Sequence, residues 1–172
     1  MSRTFAPAPV QPPSRERHLA APGPRSAKSH VDEYRTAYRL PARIDPATGQ
    51  ITMRAGKIVG VMMPADLGAQ LYAALAETGD AGGPIVSHPR SQTWTFLTQR
   101  DHEPDDLAAH TGGWWRHRVS VLTANAHIGL PGPHPGGVAR REWIVAPSSH
   151  LRPPTTVVIA ELNAILSSGG PR

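Results

Sequence analysis

The chain has 172 residues, with 18 Lys and Arg against 13 Asp and Glu, and no cysteine. That length holds one ordinary domain with some excess, and the missing cysteine excludes a disulfide scaffold, a thiolate zinc or iron–sulfur site and a cysteine nucleophile. Prolines (19) and glycines (16) make up about a fifth of the chain, which marks part of it as unpacked, and the formal charge of +5 directs attention to anionic partners.

Residues 1–30 carry prolines at 7, 9, 12, 13, 22 and 24 and almost no large apolar side chain. Such a segment cannot bury enough surface to offset its ordering entropy. The expected organisation is a disordered, basic, Pro-rich tail over 1–33, a single domain over 34–168 and a flexible end at 169–172. Arg3, Arg15, Arg17, Arg25 and Lys28 against Glu16 give residues 1–30 a net +4, leaving +1 for 31–172. No apolar stretch of signal-peptide length opens the chain, and the longest apolar run, Ile58 to Met63, is far too short to span a bilayer. Cytoplasmic location with no membrane partner is the default expectation.

From Tyr34 the pattern loosely alternates to Ile44, then meets Asp45-Pro-Ala-Thr-Gly49 and resumes extended character from Gln50 to Lys57. That pattern predicts a hairpin. Ile58 to Met62 reads as a buried strand. Pro64 fits the first turn of a helix, Asp66 suits its positive end, and Leu67, Leu71 and Leu75 form an i, i+4, i+8 stripe. Gly79 and the Gly82-Gly83-Pro84 cluster close this element, a helix over 64–78. Short strands follow at Ile85 to His88 and Thr93 to Thr98, and residues 99–113 read as an acidic, then Gly-rich loop. Val119 to Thr123, Ala126 to Leu130 and Glu142 to Ala146 are further strand candidates, and 131–139 is a surface loop. Pro153-Pro154 leads into a helix over 155–167, with Val158, Leu162, Ile165 and Leu166 on one face. The sum is an α+β domain with a largely antiparallel or mixed sheet and two main packing helices.

Chemistry-bearing patterns are sparse. The nine histidines lack metal-ligand spacing, and no nucleophile elbow, phosphate loop or dinucleotide fingerprint occurs. Asp101, Glu103, Asp105 and Asp106 offer oxygen ligands for a hard cation, but a solvated charged loop accounts for them more simply. Trp114-Trp115-Arg116-His117-Arg118 is the densest aromatic–basic run. Indole faces stack unpaired bases and guanidinium groups neutralise phosphates, and Arg90, Arg54 and Lys57 would extend such a surface. The competing reading turns one tryptophan of the pair into the core. Trp94 and Trp143 read as core residues.

Several segments together resemble the small actinobacterial primase/polymerase-type domains of the archaeo-eukaryotic primase superfamily. They are Ile51-Thr-Met-Arg-Ala-Gly56, Val59-Gly-Val-Met-Met-Pro64-Ala-Asp-Leu-Gly68, Gly83-Pro84 with Thr93-Trp-Thr-Phe-Leu97, Ile128-Gly-Leu-Pro131-Gly-Pro133, and Glu142-Trp-Ile144 through Arg152-Pro-Pro154. The resemblance implies two metal-binding carboxylates on the strand matching Val59 to Met63, a nucleotide-contacting histidine near Thr93 and a third carboxylate near Val119 to Val121. This chain has none of them, and metal-dependent nucleotidyl transfer needs carboxylates to hold its cations. The expectation is therefore a degenerate, non-catalytic member, with no catalytic residue, metal ligand or cofactor assigned. It would bind single-stranded nucleic acid, or a replication or transcription protein, through Trp114, Trp115, Arg116, Arg118, Arg90, Arg54 and Lys57. An adaptor that docks partners through its Pro-rich tail is the alternative. A divergent metal-dependent nucleotidyltransferase built on Asp101 to Asp106 is the third.

Overall fold

A computed structural model describes residues 25–79, 83–103, 106–107, 113–133 and 141–168. The Pro-rich segment considered for partner docking, residues 1–24, lies outside them. The first described element corrects the expected boundary. Ser26 accepts a hydrogen bond from the Ser29 amide at 3.2 Å and starts helix α1, Ala27–Thr36. No proline interrupts the chain between Pro24 and Pro41, so a helix is free to form. It buries Val31 and Tyr34 against residues far away in sequence, and nothing local announces that packing. Arg25 and Lys28 therefore belong to the folded part, with Arg25 paired to Glu33 at 2.9 Å. The tail proper, residues 1–24, carries +2.

The predicted hairpin is shorter than its pattern. Strand β1, Ala42–Ile44, and strand β2, Ile51–Arg54, are joined by a turn in which the Asp45 carboxylate accepts the Ala47 and Thr48 amides at 2.9 and 3.1 Å. Strand β3, Ile58–Pro64, runs directly into helix α2, Ala65–Glu77. Strands β4, Ile85–His88, and β5, Thr93–Gln99, follow as expected. A single 3-10 turn, Trp114–His117, precedes β6, Ser120–Leu122, β7, His127–Gly129, and β8, Glu142–Val145. Helix α3, Thr155–Ser168, closes the domain. At its start Asp101 accepts hydrogen bonds from the Thr156 amide, at 3.1 Å, and from the Thr156 hydroxyl. Burial pushes the Asp101 carboxyl up, but these bonds and His102 outweigh it and hold the group below its ordinary range.

The strands form two antiparallel sheets rather than one: a small sheet ordered β1-β2-β7 and a large sheet ordered β6-β3-β5-β4-β8. Alternation along β3 sends Val61 and Met63 to one face, where α2 and α3 cover them together with Phe96, Leu71 and Leu162. Ile58 belongs to the opposite face, where the small sheet, α1 and the connection between them add Met53, Ile128, Tyr34 and Leu40. The domain is thus three-layered, with helices, a large sheet and a small sheet, and two apolar cores. Close approach of the two sheets depends on Gly60, where a Cβ would lie 3.0 Å from both Ile128 Cδ1 and Thr95 Cγ2. Among the described residues, no helix is long and apolar enough to cross a membrane.

Candidate nucleic-acid interface

The β3–α2 junction creates one end of the candidate site. Pro64, with φ −54° and ψ 148°, ends the strand and occupies the N-cap of α2 without offering a side-chain cap. The Ala65 amide is instead bonded at 2.9 Å to the carbonyl of Gln92, in the turn between β4 and β5. A cleft of about 780 Å³ opens here, lined by the start of α2, Gln70, Gln92, Arg116, His117 and Arg118. The positive end of a helix thereby faces two guanidinium groups and an imidazole. Asp66, in the first turn, is the one carboxylate among the lining residues, and its Oδ1 already accepts the Leu67 amide at 2.8 Å.

The 3-10 turn decides which tryptophan is available. Trp114 is 3% exposed and its indole N–H donates to Asn163 Oδ1 of α3 at 2.8 Å. It is an anchor, so it presents no face to a ligand, which corrects its assignment to the binding surface. Fixing Trp114 inward turns the next residue outward: Trp115 is 74% exposed, and the Arg116 guanidinium lies over its ring at 5.3 Å from the centroid. Gly113 enters the turn at φ 87° and Arg118 leaves it at φ 56°. Positive φ at a non-glycine residue costs about 1 kcal/mol or more and gathers at functional surfaces. Two of the described residues with that geometry, Gln92 and Arg118, line this cleft.

The structure divides the predicted basic set. Arg116 and Arg118 line the cleft, Trp115 stands beside it under the Arg116 guanidinium, and exposed Arg90 sits in the turn that contributes Pro89 and Gln92 to the rim. Arg54 and Lys57 lie at the other end of β3, about 20 Å away for a strand of this length, and belong to a different surface. His117 and Gln70 were missed. Contiguity with Arg116 was the available signal for the first, and none existed for the second. Elsewhere, Asp101 is committed to α3, Asp106 accepts the Glu103 amide at 3.2 Å, and Glu103 lies 3.7 Å from Arg100. Asp105, His110 and His134 lie outside the described residues. Among the described residues, no group of three or more His, Asp or Glu is placed to hold a metal ion. The chain matches no protein-family model, no curated protein and no solved structure.

Proposed function

We propose that this domain binds single-stranded nucleic acid at the cleft between the 3-10 turn and α2, as a primase/polymerase-like fold without catalysis. The observation that carries the reading is Trp115, an exposed indole backed by Arg116, which lines the cleft together with His117 and Arg118. An unpaired base would stack on the indole, while Arg116 and Arg118 meet its phosphates. In the primase-type reading, β3, which lies inside the large sheet between β5 and β6, is the strand that would correspond to the family's metal-binding strand. In place of the carboxylates that family uses, this strand carries Val61, Met62 and Met63, which hold no cation. Binding is therefore the role left to the site.

The test is fluorescence anisotropy of a labelled oligothymidylate with the full chain at rising salt. Binding should appear at low salt and weaken linearly on logarithmic axes. The Arg116→Gln, Arg118→Gln double variant should bind more weakly, with a salt slope shallower by about 1.4. No binding by the intact chain at low salt, or an unchanged slope in the double variant, sinks the reading.

A further inference from the structure

Arg54 has no place in the cleft, and the residues around it form a second cationic surface on the opposite side of the large sheet. We infer that the outer face of the small sheet is an oxyanion site for a phosphate-bearing ligand, built by Arg43, Arg54, His127 and Arg141 around Thr52. It stands on observations separate from the cleft.

Register sets the arrangement. Ala42, Ile51, Met53 and Ile128 point into the sheet-side core, so the alternate residues point outward. Arg43, Thr52 and Gly129 lie level across the three strands, and Arg54 is level with His127. Arg43 on β1 reaches across β2 to β7, where its Nη2 sits 3.1 Å from His127 Nε2. A guanidinium only donates, so Nε2 accepts and Nδ1 carries the imidazole proton, an additional donor on this surface. From the other side, Arg141 lies against β7 where Gly129 has no side chain: a Cβ there would be 2.1 Å from Nε and 2.2 Å from Cζ. Gln50 Oε1, a neutral acceptor, holds the Arg141 Nη1 at 2.7 Å.

Two features point to a ligand. The first is Thr52, 8% exposed, whose hydroxyl is buried on this face with no hydrogen-bond partner. Buried hydroxyls are ordinarily satisfied. The second is a concentration of cationic side chains with no ion pair, among the described residues, at Arg43 or Arg54. The Asp45 carboxylate acts on Arg43 only at longer range, and Arg54 has no acidic partner among the described residues. Guanidinium forks brought to one face from adjacent strands match the oxygens of a phosphate. Spread over three strands, the set fits one phosphate group with a neighbour beyond it, as in a nucleotide or a phosphodiester backbone.

The experiment is two-dimensional amide NMR of the full chain titrated separately with inorganic phosphate, with adenosine monophosphate and with an oligothymidylate. Saturable shifts at the Thr52, Arg54 and Gly129 amides are expected. Saturation by phosphate or the mononucleotide at concentrations like those of the oligomer marks a small-ligand site; tight saturation by the oligomer alone marks a backbone site. Arg54→Gln removes an exposed cation, and Gly129→Ala displaces only the guanidinium end of Arg141, so both variants should fold. Each should weaken the response about tenfold. The Trp115→Ala variant should leave it unchanged, which separates this surface from the cleft. No saturable shift with any of the three probes, or unaltered saturation in both sheet variants, overturns the inference.

Discussion

The large sheet is closed on its two faces by different means. On the helix face, Leu71, Leu75, Val158 and Leu162 of α2 and α3 press on Val61, Met63, Ile85 and Phe96. Polar contact there is a seam of neutral hydroxyls, with Thr98 Oγ1 2.8 Å from Thr155 Oγ1 and the latter donating to the Gln99 carbonyl at 2.9 Å. On the opposite face the apolar contacts are interleaved with aromatic and titratable groups. The Trp143 indole N–H donates to the Tyr34 hydroxyl at 3.0 Å, which itself donates to the Pro131 carbonyl at 2.9 Å. His88 Nε2 meets Thr95 Oγ1 at 2.9 Å. The helix face is held mainly by burial, with the Asp101 carboxylate at the start of α3 as a titratable contact that changes only at low pH. The sheet face depends on groups whose protonation and pairing matter nearer neutrality.

The largest effect tests the helix face. Phe96 is fully buried, and Phe96→Ala should cost about 4 kcal/mol by transfer and cavity together. The loss, read from urea unfolding, should be the same at neutral and mildly acidic pH. A loss below about 1 kcal/mol, or one that varies with pH, breaks the comparison. On the sheet face, Tyr34→Phe keeps the ring and removes one oxygen. It leaves the Trp143 N–H and the Pro131 carbonyl unpaired in a buried place, at a cost of about 2 kcal/mol. Burial raises the Tyr34 hydroxyl above its ordinary range, so this bond is not lost by ionisation at any pH used in such a measurement.

A smaller effect separates the faces by pH. Burial, with Arg141 adding repulsion, pushes His88 down from 6.5 to about 4. Between those values the unfolded chain binds more protons than the folded one, so stability falls as the pH drops through that window and levels off below it. With allowance for solvent screening at a partly exposed ring, the total is about 1 kcal/mol. His88→Gln retains a partner for Thr95 and should flatten this limb in urea midpoints measured across the window. Asp101 acts at lower pH: its depressed carboxyl supports α3 above the ordinary carboxylate range and loses that support as the pH falls through its folded value. A slope that survives in the His88 variant assigns the acid sensitivity to other groups.

What was legible in the sequence was what local punctuation writes. Pro64 and Gly79 bounded α2, the Asp45 to Gly49 turn located the hairpin, and β3, β4 and β5 stood out as apolar runs between turn residues. The division into two sheets was not legible, because β2 pairs with β7 through Thr52 and Gly129, far apart in the chain and unmarked by composition. Helix α1 was missed for a related reason: Val31 and Tyr34 are too few to make a stripe and acquire meaning only beside Trp143 and Pro131. Within the candidate site, the aromatic–basic run was visible, but the choice between Trp114 and Trp115 rests on Asn163, a residue of α3. Arg43, His127 and Arg141 carry no shared sequence signal, because three separate segments bring them to one face.

The adjacent tryptophans give the smallest stability change and the sharpest functional one. Trp115 is mostly solvated, so Trp115→Ala removes little buried area and should alter unfolding free energy by no more than about 0.5 kcal/mol. The indoles that remain, Trp114 buried and Trp94 and Trp143 partly buried, should leave the fluorescence of this variant shifted to shorter wavelength. Oligothymidylate affinity should fall about tenfold, since stacking of one base on an aromatic ring contributes about 1–3 kcal/mol. Stability and binding are thereby uncoupled at one residue. If affinity holds while the emission shifts, the indole is exposed without being a stacking platform, and binding by this domain must be sought in its cations alone.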